Sequence, residues 1–413
     1  MIKKETMEMK MKDAWDVTFR KFYYPKTGMF YDALYGNSIE ESLDAYPTPE
    51  EIKASSPNPC GWNTGMEDAT LSACPMVEAI IARYEVAKES EMKKYSDMVY
   101  EGIIKNGTLA SEPGFIVRSV SPVDGISFYM DSSRDQYTNW VYAAHLFINS
   151  ELTDEKQKTA LREVLVNIGR KAERDVKPET GGYMMRLDGK PGIVSQMDSE
   201  NLGGHEYLRL PMIYMAAYEA TGDVHWKEKY REIRERLLKW TEAKLTLEWM
   251  KEYAYGGWGY TYLFYQAQYS LRLLYELEEE TEYRDRYYKL MQRVAEASVE
   301  YMKLAHENID LVSAGEATYR PWRTLAASNY VFFYGYNYYQ PSLYSENRSL
   351  HRCLHNVAEA IIIQCLCPEY EISMEAKDIF CEFIERIPFE KAKSTWINRF
   401  CDAWWLARRT GQI

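Results

Sequence analysis

Gly203 to Trp240 reads GGHEYLRLPMIYMAAYEATGDVHWKEKYREIRERLLKW, and it holds two helices of opposite character. In the first, Leu208, Leu210, Pro211, Met212, Ile213, Tyr214, Met215, Ala216 and Ala217 leave almost no polar side. A helix that is apolar all round is a buried one. Thr221-Gly222-Asp223 then breaks the run: Gly222 suits a helix C-terminus and Asp223 the next N-cap. In the second helix Trp226, Tyr230, Ile233 and Leu237 fall at i, i+4, i+7 and i+11, and charges from Lys227 to Arg236 fill the rest. That is an amphipathic helix with one face in water.

The same alternation recurs along the chain. Pro75 to Tyr84 precedes the mixed segment Met92 to Ile104, and Trp140 to Ile148 precedes a charged helix carrying Leu161, Val164, Leu165 and Ile168. Tyr260 to Leu277 precedes a helix with Tyr287, Leu290, Val294 and Tyr301; Val357 to Cys367 precedes one with Ile379, Phe383, Ile384 and Ile387. Unpaired helices at about 10–22 and 395–410, the latter stopped by Gly411, bring the set to roughly twelve. The buried six are expected at about 66–86, 134–149, 203–220, 258–277, 349–367 and 395–410. Alternating buried and half-exposed helices describe two concentric rings, so the expected fold class is all-α, an (α/α)6 barrel (six-hairpin toroid), with residues 1–413 as a single catalytic domain. A cut into two domains near 175–202 falls in what reads as a loop, and the irregular spacing excludes a short-period solenoid.

Charge and composition narrow the function. The balance of 50 Lys+Arg against 62 Asp+Glu is −12, with no basic stretch, so nucleic acid is not an expected partner. Hydrophobic residues make up 46%, enough for a large core, yet no segment approaches the roughly 18 apolar residues of a membrane helix. Membranes are therefore not an expected partner either, and the chain is read as a monomer or homodimer. The seven cysteines include no Cys-x-x-Cys, and no apolar run follows Lys3-Lys4. The expected compartment is the cytoplasm, or the periplasm if a leader was lost in cloning. Aromatics are in excess at 14%, 35 of them tyrosine, which suits either a carbohydrate groove or thick helix-packing layers.

The long connecting stretches, 25–65, 107–133, 175–202 and 305–348, all precede buried helices. A site built on loops is expected where those helices begin. Each start carries a polar cluster: Gly61-Trp62-Asn63-Thr64-Gly65-Met66-Glu67-Asp68, then Tyr129-Met130-Asp131-Ser132-Ser133-Arg134-Asp135, then Asp198 through His205, Glu206 and Arg209. Tyr255-Gly256-Gly257-Trp258-Gly259-Tyr260 and Arg348-Ser349-Leu350-His351 open two more. Helix capping explains one Asp or Ser at each start but not several in a row. Asp68 and Asp135 stand in the first turns of buried helices, where a carboxylate needs a partner or a task.

Twelve alternating helices, aromatic-rich loops and carboxylates at successive inner-helix starts make the chain resemble the six-hairpin glycosidases, most closely the unsaturated glucuronyl and rhamnogalacturonyl hydrolases. The resemblance implies a glycoside hydrolase acting on uronic-acid-containing oligosaccharides, in which one Asp near an early inner-helix start and a second opening the next flank the sugar. Asp68 and Asp135 match those places, with Asp131 a rival for the second. The family's paired Asp-Asp is not found, because Ser132, Ser133 and Arg134 separate Asp131 from Asp135.

Glycoside cleavage needs a carboxylic acid to donate a proton and a base to activate water, roughly 6.5–9.5 Å apart in an inverting enzyme. Neighbouring helix starts about 8–10 Å apart meet that spacing. Asp135 is expected to serve as acid/base with Asp68 assisting. Arg134, Arg209 and Arg348 are expected to grip a uronate carboxylate. Trp62, Asn63, Asp198, His205, Glu206, Trp258 and His351 complete the expected sugar contacts; for each, a structural role is the plainer reading. His351 and His355 lack the Glu of His-Glu-x-x-His, and neither a metal nor a cofactor is expected. Rival readings are a polysaccharide lyase built on Asn201, His205, Tyr207 and Arg209, a sugar epimerase, or a non-catalytic carbohydrate-binding barrel.

Overall fold

A computed structural model of the protein describes residues 2–255, 260–314, 322–324, 330–333, 336–339 and 346–413. The described residues form fifteen α-helices: α1 Ile2–Val17, α2 Ile39–Ser42, α3 Pro49–Lys53, α4 Ala69–Ala87, α5 Met92–Thr108, α6 Arg134–Asn149, α7 Glu155–Asp175 and α8 Arg209–Thr221. They continue as α9 Val224–Lys244, α10 Leu247–Tyr255, α11 Tyr262–Leu277, α12 Thr281–His306, α13 Glu346–Leu366, α14 Met374–Arg386 and α15 Ile397–Arg409. Helix takes 66% of the chain and strand 4%, so the class is all-α. The strands form three antiparallel hairpins: β1 Tyr23–Tyr24 with β2 Met29–Phe30, β3 Tyr183–Met185 with β4 Pro191–Gln196, and β5 Tyr330–Phe333 with β6 Tyr336–Tyr339. All three lie in or beside stretches read as loops, as do α2 and α3, while α10 falls between two expected helices; each piece is shorter than the 11-residue window over which periodicity registers.

The helices read as apolar all round are the ones the core encloses. Every residue from Ala69 to Ala82 of α4 is buried, as is Arg209 to Ala217 of α8. α4 packs on α6, α6 on α8, α8 on α11, α11 on α13, α13 on α15, and α15 returns to α4. The amphipathic helices cover them: α5 on α4, α7 and α9 on α8, α12 on α11 and α13, α14 on α13, and α1 on α15. Each large side chain so buried contributes about 1.5–3 kcal/mol of burial free energy.

Local chemistry sets the helix ends. Gly222 stops α8 at φ 67°, and Asp223 caps α9 by accepting from the His225 amide at 3.0 Å. Ser133 caps α6 and Ser373 caps α14. In α9 the buried stripe differs from the periodic reading at one place. Ile233 is half-buried, and Arg234 goes inside instead, paired with Glu278 and Glu280 at 3.0 Å each and stacked 3.3 Å from the Tyr283 ring centroid. Its long stem and planar head fill a buried slot because two carboxylates and an aromatic face receive the charge. No helix among the described residues is long and apolar enough to cross a membrane.

Candidate functional site

The N-terminal ends of α4, α6, α8, α11 and α15 and the first turns of α13 bring a connected set of charged side chains together. Asp68 holds the N-cap position of α4 yet caps nothing. Its carboxylate instead accepts from Gln136 Nε2 at 2.9 Å and pairs with Arg118 at 3.5 Å, and it keeps 40% of its side chain open to solvent. Burial among protein atoms raises its pKa to about 6, Arg118 opposes, and Asp135 and Asp32 add to the rise. Glu67, next in the chain, is pushed up as well by burial, Asp68 and Asp32. Its oxygens accept the backbone N–H groups of Asn63 and Gly65 at 3.0 and 2.8 Å. Gly65 is required there: at φ +82° a Cβ would stand 2.5 Å from the Asp32 carbonyl oxygen.

Asp135 has the opposite environment. The guanidinium of Arg209, the first residue of α8, donates to Oδ1, and the hydroxyl of Tyr262, the first of α11, donates to Oδ2 at 2.9 Å. Burial alone would raise the carboxyl, but Arg209, Arg134 and these hydrogen bonds bring it down to about 2. Asp135, expected as the proton donor, is therefore ionised at neutral pH. Arg134 pairs with Glu206, which also accepts the Gly203 amide at 2.8 Å and lies 3.6 Å from His205 Nε2. His205 stacks parallel to Trp249 at 6.4 Å, and burial lowers its pKa to about 4, so it is neutral.

The cluster continues through α15 and α13. Arg399 lies within electrostatic reach of Asp68, Tyr262 and His351, and it pairs with Glu359 at 2.6 Å. Glu359 takes His355 Nδ1 at 2.9 Å, and His355 Nε2 meets His351 Nε2 at 3.1 Å. Nε of Arg134 and of Arg209, both buried, have no acceptor among the described residues.

Asp68, Asp135, Arg134, His205, Glu206, Arg209 and His351 thus belong to one assembly. Four expected residues do other work. Asp131 is buried at 1% exposure and ties loops together, accepting from the Ser132 amide at 2.8 Å, the Ile193 amide at 3.0 Å and the Cys60 thiol at 3.4 Å. Asp198 forms a bidentate pair with Arg236 of α9 at 2.6 and 2.7 Å. Trp62 is buried at 8% exposure behind Asn58, which accepts its amide. Asn63 turns the chain at φ 72° beside Glu67. Trp258 and the Arg348 side chain lie outside the described residues. Of the four residues weighed for a lyase, His205 and Arg209 lie in this assembly, while the Tyr207 hydroxyl faces Lys244 at 2.5 Å and the Glu200 carbonyl at 2.8 Å, and Asn201 is exposed.

Glu67, Arg118, Gln136, Tyr262, Glu359 and Arg399 are the members the sequence reading missed. Arg399 and Glu359 carried a signal, as charged residues inside otherwise apolar helices; Arg118 lies in a connecting stretch and carried none. Among the described residues no group of three or more His, Cys, Asp or Glu side chains is placed to hold a metal. No family model matches this chain, and no curated protein is similar to it.

Proposed function

We propose that this chain is a glycoside hydrolase of the six-hairpin type, with its helices in an (α/α)6 toroid, acting on uronic-acid-containing oligosaccharides, 4,5-unsaturated uronyl ends included. The closed succession of packing from α4 back to α4 supports the toroid. One observation carries the chemistry: two carboxyl groups at neighbouring helix starts have pKa values pushed apart, Asp68 up to about 6 and Asp135 down to about 2. Such a pair divides into a proton donor and a fixed anion. The roles are the reverse of those expected from sequence. Asp68, reached by solvent, donates to the glycosidic oxygen, or to the ring double bond of an unsaturated uronide. Asp135 stays ionised and stabilises the positive charge that develops on the sugar ring. Four guanidiniums, Arg118, Arg134, Arg209 and Arg399, converge here, each paired with a carboxylate of the cluster, and a uronate carboxylate would be received by sharing one of these forks.

The test is the ultraviolet absorbance of 4,5-unsaturated uronyl disaccharides incubated with wild type and with Asp68→Asn. Loss of the band with wild type, slowed about 10²–10⁴-fold by the substitution, supports the reading. A band unchanged by wild type, with saturated glucuronides also untouched, overturns it. A band that rises on intact polysaccharide identifies a lyase.

A further inference from the structure

The first turn of α6 sends three consecutive side chains to other helix starts. Arg134 goes to Glu206 and Asp135 to Arg209 and Tyr262, while Gln136 crosses to Asp68 ahead of α4. Ser133 fixes the turn by accepting the Gln136 backbone amide at 3.3 Å. Gln136 is at 0% exposure, and its Nε2 donates to the Glu67 carbonyl at 3.1 Å and to Asp68 Oδ1 at 2.9 Å. That carbonyl only accepts, so the amide nitrogen must face it, which fixes the way the side-chain amide points. Arg118 repeats the pattern from the connecting stretch: its Nη1 reaches the same carbonyl at 3.2 Å and the same Oδ1 at 3.5 Å.

Asp68 is thus gripped by one oxygen. Among the described residues, both hydrogen bonds that its carboxyl accepts fall on Oδ1, and the side chain keeps 40% of its surface open to solvent. In a neutral carboxyl one oxygen carries the hydrogen and the other, the carbonyl oxygen, is the better acceptor. Two donors on Oδ1 make that oxygen the carbonyl, which leaves the proton on Oδ2. The charged and titratable groups that face Asp68 are Glu67 beside it, Asp32 after β2, Arg118, Asp135 of α6, Tyr262 of α11 and Arg399 of α15. Of the two donors Gln136 is the uncharged one, so replacing it alters a hydrogen bond without altering the charge of the site.

We propose that Gln136 is the positioning residue of the acid: by holding Oδ1 of Asp68 it places the transferable proton on Oδ2, the oxygen that delivers it. The delivery role rests on the hydrolase reading above; the hydrogen-bonded bridge from α6 to Asp68 does not. In the step, the O–H bond at Oδ2 breaks as the leaving oxygen takes the proton, and the bond from that oxygen to the anomeric carbon breaks. Water adds to the carbon and sheds one proton to solvent, and solvent returns a proton to Oδ2. As negative charge builds on Asp68, the bonds from Gln136 and Arg118 become bonds to a charged acceptor and strengthen. Asp135 is the residue next to Gln136, so the same turn of α6 also fixes the anion relative to the acid.

The wild type tests the bridge without turnover. As Asp68 ionises, the NMR signal of the Gln136 side-chain amide is expected to move with the same midpoint as the Asp68 carboxyl carbon, about 6. An amide signal that stays still while the carboxyl titrates overturns the bridge. In Gln136→Met, a change of similar volume and no charge, the Asp68 midpoint is expected to climb to about 7 or above, because the lost donor favoured the ionised form. The basic limb of the kcat/KM profile on a 4,5-unsaturated uronyl disaccharide is expected to climb with it. At the optimum kcat is expected to fall about 10–10²-fold with KM nearly unchanged. An unmoved limb, or wild-type kcat, overturns the positioning role even if hydrolysis is real. If wild type cleaves no uronide, the hydrolase reading falls and the delivery role with it, while the two titrations still decide whether Gln136 holds Asp68.

Discussion

Arg209 is a guanidinium at 1% exposure whose hydrogen-bonded partner among the described residues is one carboxylate, Asp135, on a neighbouring helix. Removing it as Arg209→Met leaves a half-buried anion with Tyr262 as its remaining hydrogen-bond donor, a change that costs about 3 kcal/mol. The sign follows from the depressed pKa. A carboxyl held near 2 when folded contributes stability above its unfolded value of about 3.9 and loses it as pH falls toward 2. The gap between wild type and Arg209→Met in urea unfolding is therefore expected to be widest at pH 7 and to narrow below pH 4. Asp135→Asn in the same background is expected to recover much of the loss; a gap independent of pH would contradict the ion-pair account.

Among the helices, the clearest electrostatic joint lies at the far ends of α6, α8 and α11. His145 of α6 stands 2.8 Å from Glu219 of α8 through Nδ1 and 2.8 Å from Glu276 of α11 through Nε2. Burial alone would lower its pKa; the two glutamates raise it to about 9. These residues line a cavity of about 900 Å³ with Arg272, Arg409 and Tyr142. A histidine raised in the folded state stabilises fully below its unfolded value of about 6.5 and loses that contribution as pH climbs through about 9. His145→Gln is thus expected to cost about 2–3 kcal/mol at pH 6, with the difference from wild type shrinking by pH 10. Thermal melts at the two pH values check it. The joint was not legible in the periodic pattern, because three single residues on three helices, each polar in an apolar stretch, mean nothing until the helices are side by side.

In the whole molecule, the packed helices enclose carboxyl groups as well as apolar ones. Asp402 of α15 and Glu78 of α4 are both at 0% exposure, and neither oxygen of Asp402 has a partner among the described residues. Burial, followed by Glu78, drives the Asp402 pKa far upward against Arg409 and Arg399, so the group is protonated at neutral pH. Such a carboxyl leaves stability intact below its unfolded pKa and drains it as pH rises toward the folded value. Asp402→Asn keeps the shape without the titration. It is expected to match or exceed wild type by about 1 kcal/mol at pH 8, and calorimetry from pH 5 to 9 should show its Tm falling less. A steeper fall in the variant would mean that Asp402 is ionised and paired.

Helix existence and order were legible in the chain from Gly203 to Trp240 onward, because amphipathic periodicity and caps are local: Gly222, Asp223 and Arg134–Asn149 stand where the pattern puts them. So were the positions of Asp68 and Asp135 at the starts of buried helices. Their ionisation was not. It depends on Arg209, 74 residues beyond Asp135, on Tyr262, 127 residues beyond, and for Asp68 on Arg118 and Gln136, 50 and 68 residues away. Packing brings these partners within hydrogen-bonding reach, and Coulomb forces act through space at that distance whatever the separation along the chain. Periodicity records which face of a helix is dry; which carboxyl holds a proton is decided by what the neighbouring helices bring to it.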